Sequence, residues 1–126
     1  MEDIEVILRA NHLSKRFGGL RAVDDVSFEV TRLGVTSIIG PNGAGKSTLF
    51  NLISGTFMAD SGLVELDGLN VTQMSPEERL SCGMARSFQI TNLFFDLSVI
   101  DNLRIASQAL ESRSHLFLPL SKSTIA

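Results

Sequence analysis

The sequence predicts an α/β fold in which antiparallel strands lead into a strand, a glycine-rich loop and a helix. Three observations predict it. Val26, Phe28 and Val30 alternate with Ser27 and Glu29, the period-2 pattern of a half-buried strand. Val35 to Ile39 is a short, nearly unbroken apolar run with only small polar residues in it, which suits a strand buried on both faces as in a parallel sheet. Gly40-Pro41-Asn42-Gly43-Ala44-Gly45 is too rich in breakers to be anything but a loop, and Lys46 to Ser54 follows with Leu49, Phe50, Leu52 and Ile53 at helical spacing.

The remaining elements fall on either side of that unit. Ile4 to Leu8 is rich in β-branched residues and reads as a strand. Lys15-Arg16-Phe17-Gly18-Gly19 carries turn chemistry, because glycine accepts positive φ at no steric cost. Gly55 stands where a helix C-cap belongs. Leu63 to Leu66 and Leu69 to Val71 flank Asp67-Gly68, a two-residue hairpin signal. Ser75, Pro76 and Glu78 form a capping box with proline at the first helical position, and Cys82-Gly83 ends the short helix they open. Met84 to Gln89 reads as strand or extended chain. Ser98 to Asp101 repeats the capping pattern and opens a helix through about Arg113, after which a Ser-rich tail around Pro119 shows no period. No internal repeat is present.

Composition excludes several classes. The chain has 126 residues, 20% charged, with a formal net charge of -3. Phosphate backbones are held by clustered Lys and Arg, and there is no such cluster, so no nucleic acid is expected as partner. The apolar runs are a few residues long, far short of the roughly 20 that span a bilayer. Glu2, Asp3 and Glu5 replace the basic start of a secretory signal. Cys82 is the single cysteine, which forbids an internal disulfide and fits a reducing compartment. A cytoplasmic location follows as the expectation, and Cys82 reads as a small buried apolar residue. His12 and His115 read as surface or structural residues, and Asp24-Asp25 as a solvated turn.

Gly40 to Ser47 matches G-x-x-x-x-G-K-[ST], the Walker A phosphate loop. Each position answers a physical demand. A triphosphate is cradled by successive backbone N–H groups, and side chains would block that approach, so Gly43 and Gly45 keep the loop bare. Lys46 sets an ammonium between the β- and γ-phosphates. The Ser47 hydroxyl is a hard oxygen ligand for Mg²⁺, and the helix beginning there points its positive end at the phosphates.

The filling of that loop, Gly40-Pro41-Asn42-Gly43-Ala44-Gly45-Lys46-Ser47-Thr48-Leu49, resembles the Walker A of ABC transporter ATPases. The strands before it, the Asp67-Gly68 hairpin after it and Gln89 fall in that family's order. Thr31 to Thr36 departs from the family, in which a Gly followed by an acidic residue is common before this strand. The segments Lys15 to Val23, Gly83-Met84-Ala85-Arg86-Ser87-Phe88-Gln89, Asn92-Leu93-Phe94 and Leu97 to Leu103 resemble the ATPases of branched-chain amino-acid importers, whose relatives include urea and short-amide importers.

The resemblance implies a P-loop NTPase fold of the ABC ATPase type, with an N-terminal antiparallel β-subdomain, truncated before the second half of the core sheet. Residues 1–126 would be the N-terminal half of the nucleotide-binding domain, with the phosphate loop at 40–48, the Q-loop near 89 and a helical subdomain starting over about 90–113. It implies ATP and Mg²⁺ as cofactors. Phe17 matches the aromatic that stacks on adenine, its alternative being a core residue of the N-terminal sheet. Gln89 matches the glutamine that contacts Mg²⁺ and the attacking water, its alternative being a solvated loop residue. Lys46 and Gln89 are thus the catalytic candidates. Gly40, Pro41, Asn42, Gly43, Ala44, Gly45, Lys46, Ser47 and Thr48 join Phe17 around the nucleotide, with Asn42 and Ala44 contributing mainly backbone. Ser47 and Gln89 are the metal candidates. Leu93, Phe94 and Phe95 either dock a membrane subunit or fill a local core.

The implied partners are a second ATPase subunit, identical or paralogous, the membrane permease and, indirectly, a solute-binding protein. The implied place is the inner face of the plasma membrane, reached through the permease. The family's Ser-Gly-Gly-Gln signature, the apolar strand ending Asp-Glu and the switch histidine have no match here. Two other readings compete. One is a non-catalytic product that only binds nucleotide. The other is a different phosphate-loop enzyme, against which stand the antiparallel strands before the loop and the lack of a guanine-reading Asn-Lys-x-Asp stretch. Without the missing strands, Val35 to Ile39 is expected to be left uncovered, an aggregation hazard.

Overall fold

The structure is a computed structural model that describes residues 5–87 and 93–108. The chain divides into a unit ending at Met84 and a second beginning at Ala85.

In the first unit, β1 (Val6–Phe17) and β2 (Leu20–Thr31) form a long antiparallel hairpin, paired from Val6 with Thr31 to Phe17 with Leu20. The turn is tighter than the sequence suggests: only Gly18-Gly19 lies between the strands, with Gly18 at φ 57°, and Lys15 to Phe17 stay in the ladder. The register slips between Ala10 and Leu13, where His12 has φ 51°, and Asp25 opposite has the same φ. These two residues share a 2.7 Å contact between His12 Nδ1 and Asp25 Oδ1 at the surface. His12 is thus a surface residue, as expected. Asp24 holds Arg21 and Asp25 meets His12, so each of these carboxylates has a partner.

Next come helix α1 (Lys46–Ile53), strand β3 (Ser61–Leu66), strand β4 (Leu69–Asn70) and helix α2 (Pro76–Ser81). The sheet order is β2-β1-β3-β4, antiparallel throughout. The hairpin between β3 and β4 forms at Asp67-Gly68, whose φ values of 50° and 77° are the double-positive signature of the turn the sequence calls for. Helix α2 begins with the expected box: Ser75 N donates to Glu78 Oε2 at 2.7 Å and Glu78 N to Ser75 Oγ at 3.3 Å. Leu49, Leu52 and Ile53 project from α1 at i, i+3, i+4 spacing into a core with Ala10 and Leu13 of β1, Val23 of β2 and Val64 of β3. Cys82 is half-buried at its edge.

Of the two expectations for the segment after β2, the strand buried on both faces is not met and the uncovered segment is. Val35 to Ile39 forms no ladder, and Leu33, Val35 and Ile39 are 99%, 97% and 92% exposed. A parallel strand needs neighbours brought from elsewhere in the chain, and no described segment lies beside this one. Its inward residue Ile38 packs against the core while the outward ones face water.

In the second unit, residues 85–87 carry no regular structure, and Gln89 and the rest of the expected extended stretch lie outside the described residues. Helix α3 (Val99–Gln108) starts as predicted, and the part expected as far as Arg113 lies outside them too. Ser98 Oγ accepts from Asp101 N at 3.2 Å and donates to Asp101 Oδ2 at 2.6 Å. Asn102 then locks the preceding turn onto the helix: its Oδ1 accepts from Phe94 N, and its Nδ2 donates to the carbonyls of Phe94 and Ser98, all at 3.0 Å. Leu93, Phe94 and Phe95 are exposed, with Phe95 at 85%, so they do not fill a local core.

Candidate phosphate-binding cleft

Helix α1 has no side-chain cap. Its N-cap is Gly45, at φ 94°, and its first turn contains no acidic residue. A helix start leaves N–H donors without intrahelical partners and carries partial positive charge, so an uncapped, acid-free N-terminus suits an anion. Gly43, at φ 86°, adds a second position that a side chain would strain.

Lys46 folds back over the loop. Its Nζ donates to the Gly40 carbonyl at 2.5 Å and to the Pro41 carbonyl at 2.7 Å. The loop is further closed by Ala44 N donating to the Pro41 carbonyl at 3.2 Å. These contacts hold the ammonium at the mouth of the loop on acceptors that a phosphate oxygen, carrying full negative charge, can replace.

A cleft of about 340 Å³ opens there. One wall is Asn42, Gly43 and Gly45 through Thr48, and the other is Leu20, Arg21 and Ala22 at the start of β2. Six of the sequence-predicted residues therefore line one cavity. Gly40 and Pro41 lie outside the lining but hold Lys46, and Ala44 closes the loop onto Pro41. Phe17, 43% exposed, lies outside the lining but pairs across the hairpin turn with Leu20, which belongs to it. It is not a core residue. Gln89 lies outside the described residues.

Sequence reasoning missed the second wall. Leu20, Arg21 and Ala22 lie inside the Lys15 to Val23 segment that resembles importer ATPases, but nothing in it marks them as lining, and the close passage of Gly45 against Ala22 brings them in. It also missed Phe57, whose ring meets Phe17 edge to face at a centroid distance of 5.5 Å and an interplanar angle of 71°.

The donor set fits a magnesium–nucleotide complex in a specific way. No group of three or more His, Cys, Asp or Glu among the described residues could hold a metal alone. The exposed Ser47 hydroxyl is the hard oxygen at the helix start. Mg²⁺ commonly takes one or two protein oxygens together with substrate phosphates, which is the kind of site this arrangement can supply.

A phosphate loop at the start of α1, reached through a four-stranded antiparallel sheet, is the arrangement of an ATP-binding cassette, and the chain belongs to the ABC transporter family, whose model matches residues 23–125. Among its relatives, it is 42% identical over 105 residues to the probable branched-chain amino acid transport ATP-binding protein LivG of Methanocaldococcus jannaschii, covering 83% of this chain and 41% of that protein. It is 38% identical over 117 residues to the high-affinity branched-chain amino acid transport ATP-binding protein LivG of Salmonella typhimurium, covering 93% and 46%. The chain thus spans less than half the length of these relatives. Among solved structures, it matches the ADP conformation of an ATP-binding cassette of an ABC transporter with a TM-score of 0.66 and 44% identity, over 68% of this chain and 34% of that one. A nucleotide-free cassette matches with a TM-score of 0.66 and 33% identity, over 85% and 48%. Membership of this family sets aside the reading as another class of phosphate-loop enzyme.

Proposed function

We propose that this chain binds Mg·ATP in the cleft between the Gly40–Thr48 loop and the Leu20–Ala22 wall, as part of the ATP-binding subunit of an importer for branched-chain amino acids or similar small solutes. The observation that carries the reading is the placement of Lys46 Nζ on the Gly40 and Pro41 carbonyls above an uncapped helix start.

In this reading Lys46 exchanges those carbonyls for β- and γ-phosphate oxygens, and the backbone N–H groups of Gly43 through Thr48 wrap the phosphates. Ser47 is the protein's ligand to Mg²⁺, Thr48 supports the α/β-phosphates, and Phe17 stacks on adenine. When bound, Mg²⁺ neutralises charge that builds up on the phosphates during transfer. Gln89 orients the attacking water and contacts the ion. Residues 1–126 act as the first half of the nucleotide-binding domain, with the Q-loop near 89 and the helical subdomain beginning over about 90–113.

The partners proposed are a second ATPase subunit, the permease and, through it, a solute-binding protein, at the inner face of the plasma membrane. No described helix is long and apolar enough to cross a membrane. The exposed Leu93, Phe94 and Phe95 support a docking surface for the permease in the second unit. The branched-chain amino-acid assignment is supported by the names of the relatives.

Calorimetric titration with Mg·ATP and Mg·GTP tests the core of the proposal. Saturable binding of Mg·ATP that disappears in Lys46→Ala is expected. Binding unchanged by that substitution would overturn it.

A further inference from the structure

Phe17 is the last residue of β1 and stands at the tip of a hairpin, beside a two-glycine turn, with 43% of its surface exposed. A ring in that position is free to turn unless something fixes its plane. The structure contains such a device. Phe57 meets the ring edge to face at 5.5 Å. Phe57 is itself fixed to the end of α1, its N–H donating to the Asn51 carbonyl at 3.0 Å. Lys15 places its Nζ 5.6 Å from the Phe17 centroid.

Asp60 anchors that lysine. Its Oδ1 accepts from Lys15 Nζ at 2.8 Å, its Oδ2 accepts from Arg16 N at 2.8 Å, and its own N–H donates to the Ser14 carbonyl at 2.9 Å. Asp60 thus grips three successive residues before Phe17, two through its carboxylate and Ser14 through its backbone N–H, and holds the cation against the ring.

We propose that Phe57 and the Lys15–Asp60 pair are positioning residues that set the plane of the Phe17 ring, so that the ring is pre-organised to receive a nucleobase. This rests on the nucleotide-binding reading above. The cluster acts on the base alone: it belongs to the strand tip and the end of α1, whereas the phosphates are held at the opposite, N-terminal end of that helix. Pre-organisation adds affinity by removing the cost of ordering the ring at binding. Lys15 against the ring also adds a cation–π contact that keeps one side of it occupied.

The test compares Mg·ATP with Mg·tripolyphosphate, which has the phosphates and no base, by calorimetry on the protein and on Phe57→Ala, Phe57→Tyr and Lys15→Met. Phe57→Ala is expected to weaken Mg·ATP roughly three- to tenfold, the span an edge-to-face pair supports, and to leave tripolyphosphate unchanged. Phe57→Tyr keeps the ring and restores ATP affinity. Lys15→Met, which leaves the Phe17–Phe57 pair in place, gives a smaller loss confined to ATP. Equal losses for both ligands would reveal a merely structural role and overturn the proposal, as would no loss for either. If the unsubstituted protein binds tripolyphosphate as tightly as ATP, Phe17 is no base platform and the proposal fails with the phosphate loop intact. If it binds neither, the nucleotide-binding reading itself fails.

Discussion

Gly45 lies against the backbone of Ala22 so closely that a Cβ built on it would overlap the Ala22 carbonyl oxygen. The contact joins the phosphate loop to the first strand hairpin and forms the cleft between them. Gly45→Ala is therefore expected to do two kinds of damage. The residue sits at φ 94°, where a side chain costs on the order of 1–2 kcal/mol, and the new methyl must push the two walls apart. Loss of Mg·ATP binding together with a lowered thermal midpoint is the expected result, read by titration and by circular dichroism.

Lys46 is the cation that the phosphate loop itself brings to the cleft, across from Arg21 on the opposite wall. Lys46→Ala should lower Mg·ATP affinity at least tenfold, in line with the loss of charge-assisted hydrogen bonds of about 1.5–3 kcal/mol. Because its current acceptors are exposed or half-buried backbone carbonyls that water can reach, the same change should leave the melting midpoint nearly unmoved. A thermal scan beside the titration separates the two effects.

Arg79 is the largest of the fully buried side chains among the described residues, at 1% exposure, and no ion pair among those residues involves it. Its guanidinium donates instead to four carbonyls: Leu52 at 2.8 Å, Ile53 at 2.5 Å, Thr72 at 2.9 Å and Met74 at 3.1 Å. Two of these are last-turn carbonyls of α1, so a cation stands at the negative end of the phosphate-loop helix. Burial pulls its pKa below the usual guanidinium value. Gly55 leaves the room: a Cβ there would stand 2.7 Å from Arg79 Nε. Arg79→Met strands several buried acceptors, each costing about 1–3 kcal/mol. Urea unfolding should show a loss of about 3 kcal/mol or more.

Asp60 gives a prediction in pH. Hydrogen bonding from Lys15, then from the Arg16 backbone, holds its carboxyl below the ordinary value of 3.8. A depressed folded-state pKa stabilises the fold above the unfolded value, and that contribution is lost as pH falls from 3.8 through the lower folded value. Acid unfolding should therefore show a limb in this window that Asp60→Asn removes. Because the carboxylate is exposed, the limb should shrink in high salt.

The bare segment after β2 predicts behaviour in solution. Leu33, Val35 and Ile39 present apolar surface and unpaired backbone together, the combination that templates association. The 126-residue chain alone should scatter light at a lower concentration than a Val35→Lys, Ile39→Lys double variant. Equal onsets for the two would remove this segment as the cause.

What the sequence determined by itself was whatever depends on short-range chemistry. The Gly40–Ser47 loop, the Asp67-Gly68 turn, the Ser75–Glu78 box and the Ser98–Asp101 cap each place their hydrogen bonds within a few residues, so residue type fixes local geometry. The core face of α1 was legible for the same reason, because a helix repeats every 3.6 residues. Tertiary structure alone decided what depends on distant segments meeting. It denied Val35 to Ile39 the ladder that its apolar run suggests, leaving it uncovered as the unmatched neighbouring strands implied, since a parallel strand is made by its neighbours and not by its own sequence. It supplied Leu20 to Ala22 as the second wall of the cleft, set Phe57 on Phe17 across 40 residues of chain, and buried Arg79 among carbonyls from two segments, the end of α1 and the stretch before α2. No periodicity or motif encodes those meetings, because the interactions that create them act between side chains and backbone brought together only when the sheet has closed over the helix.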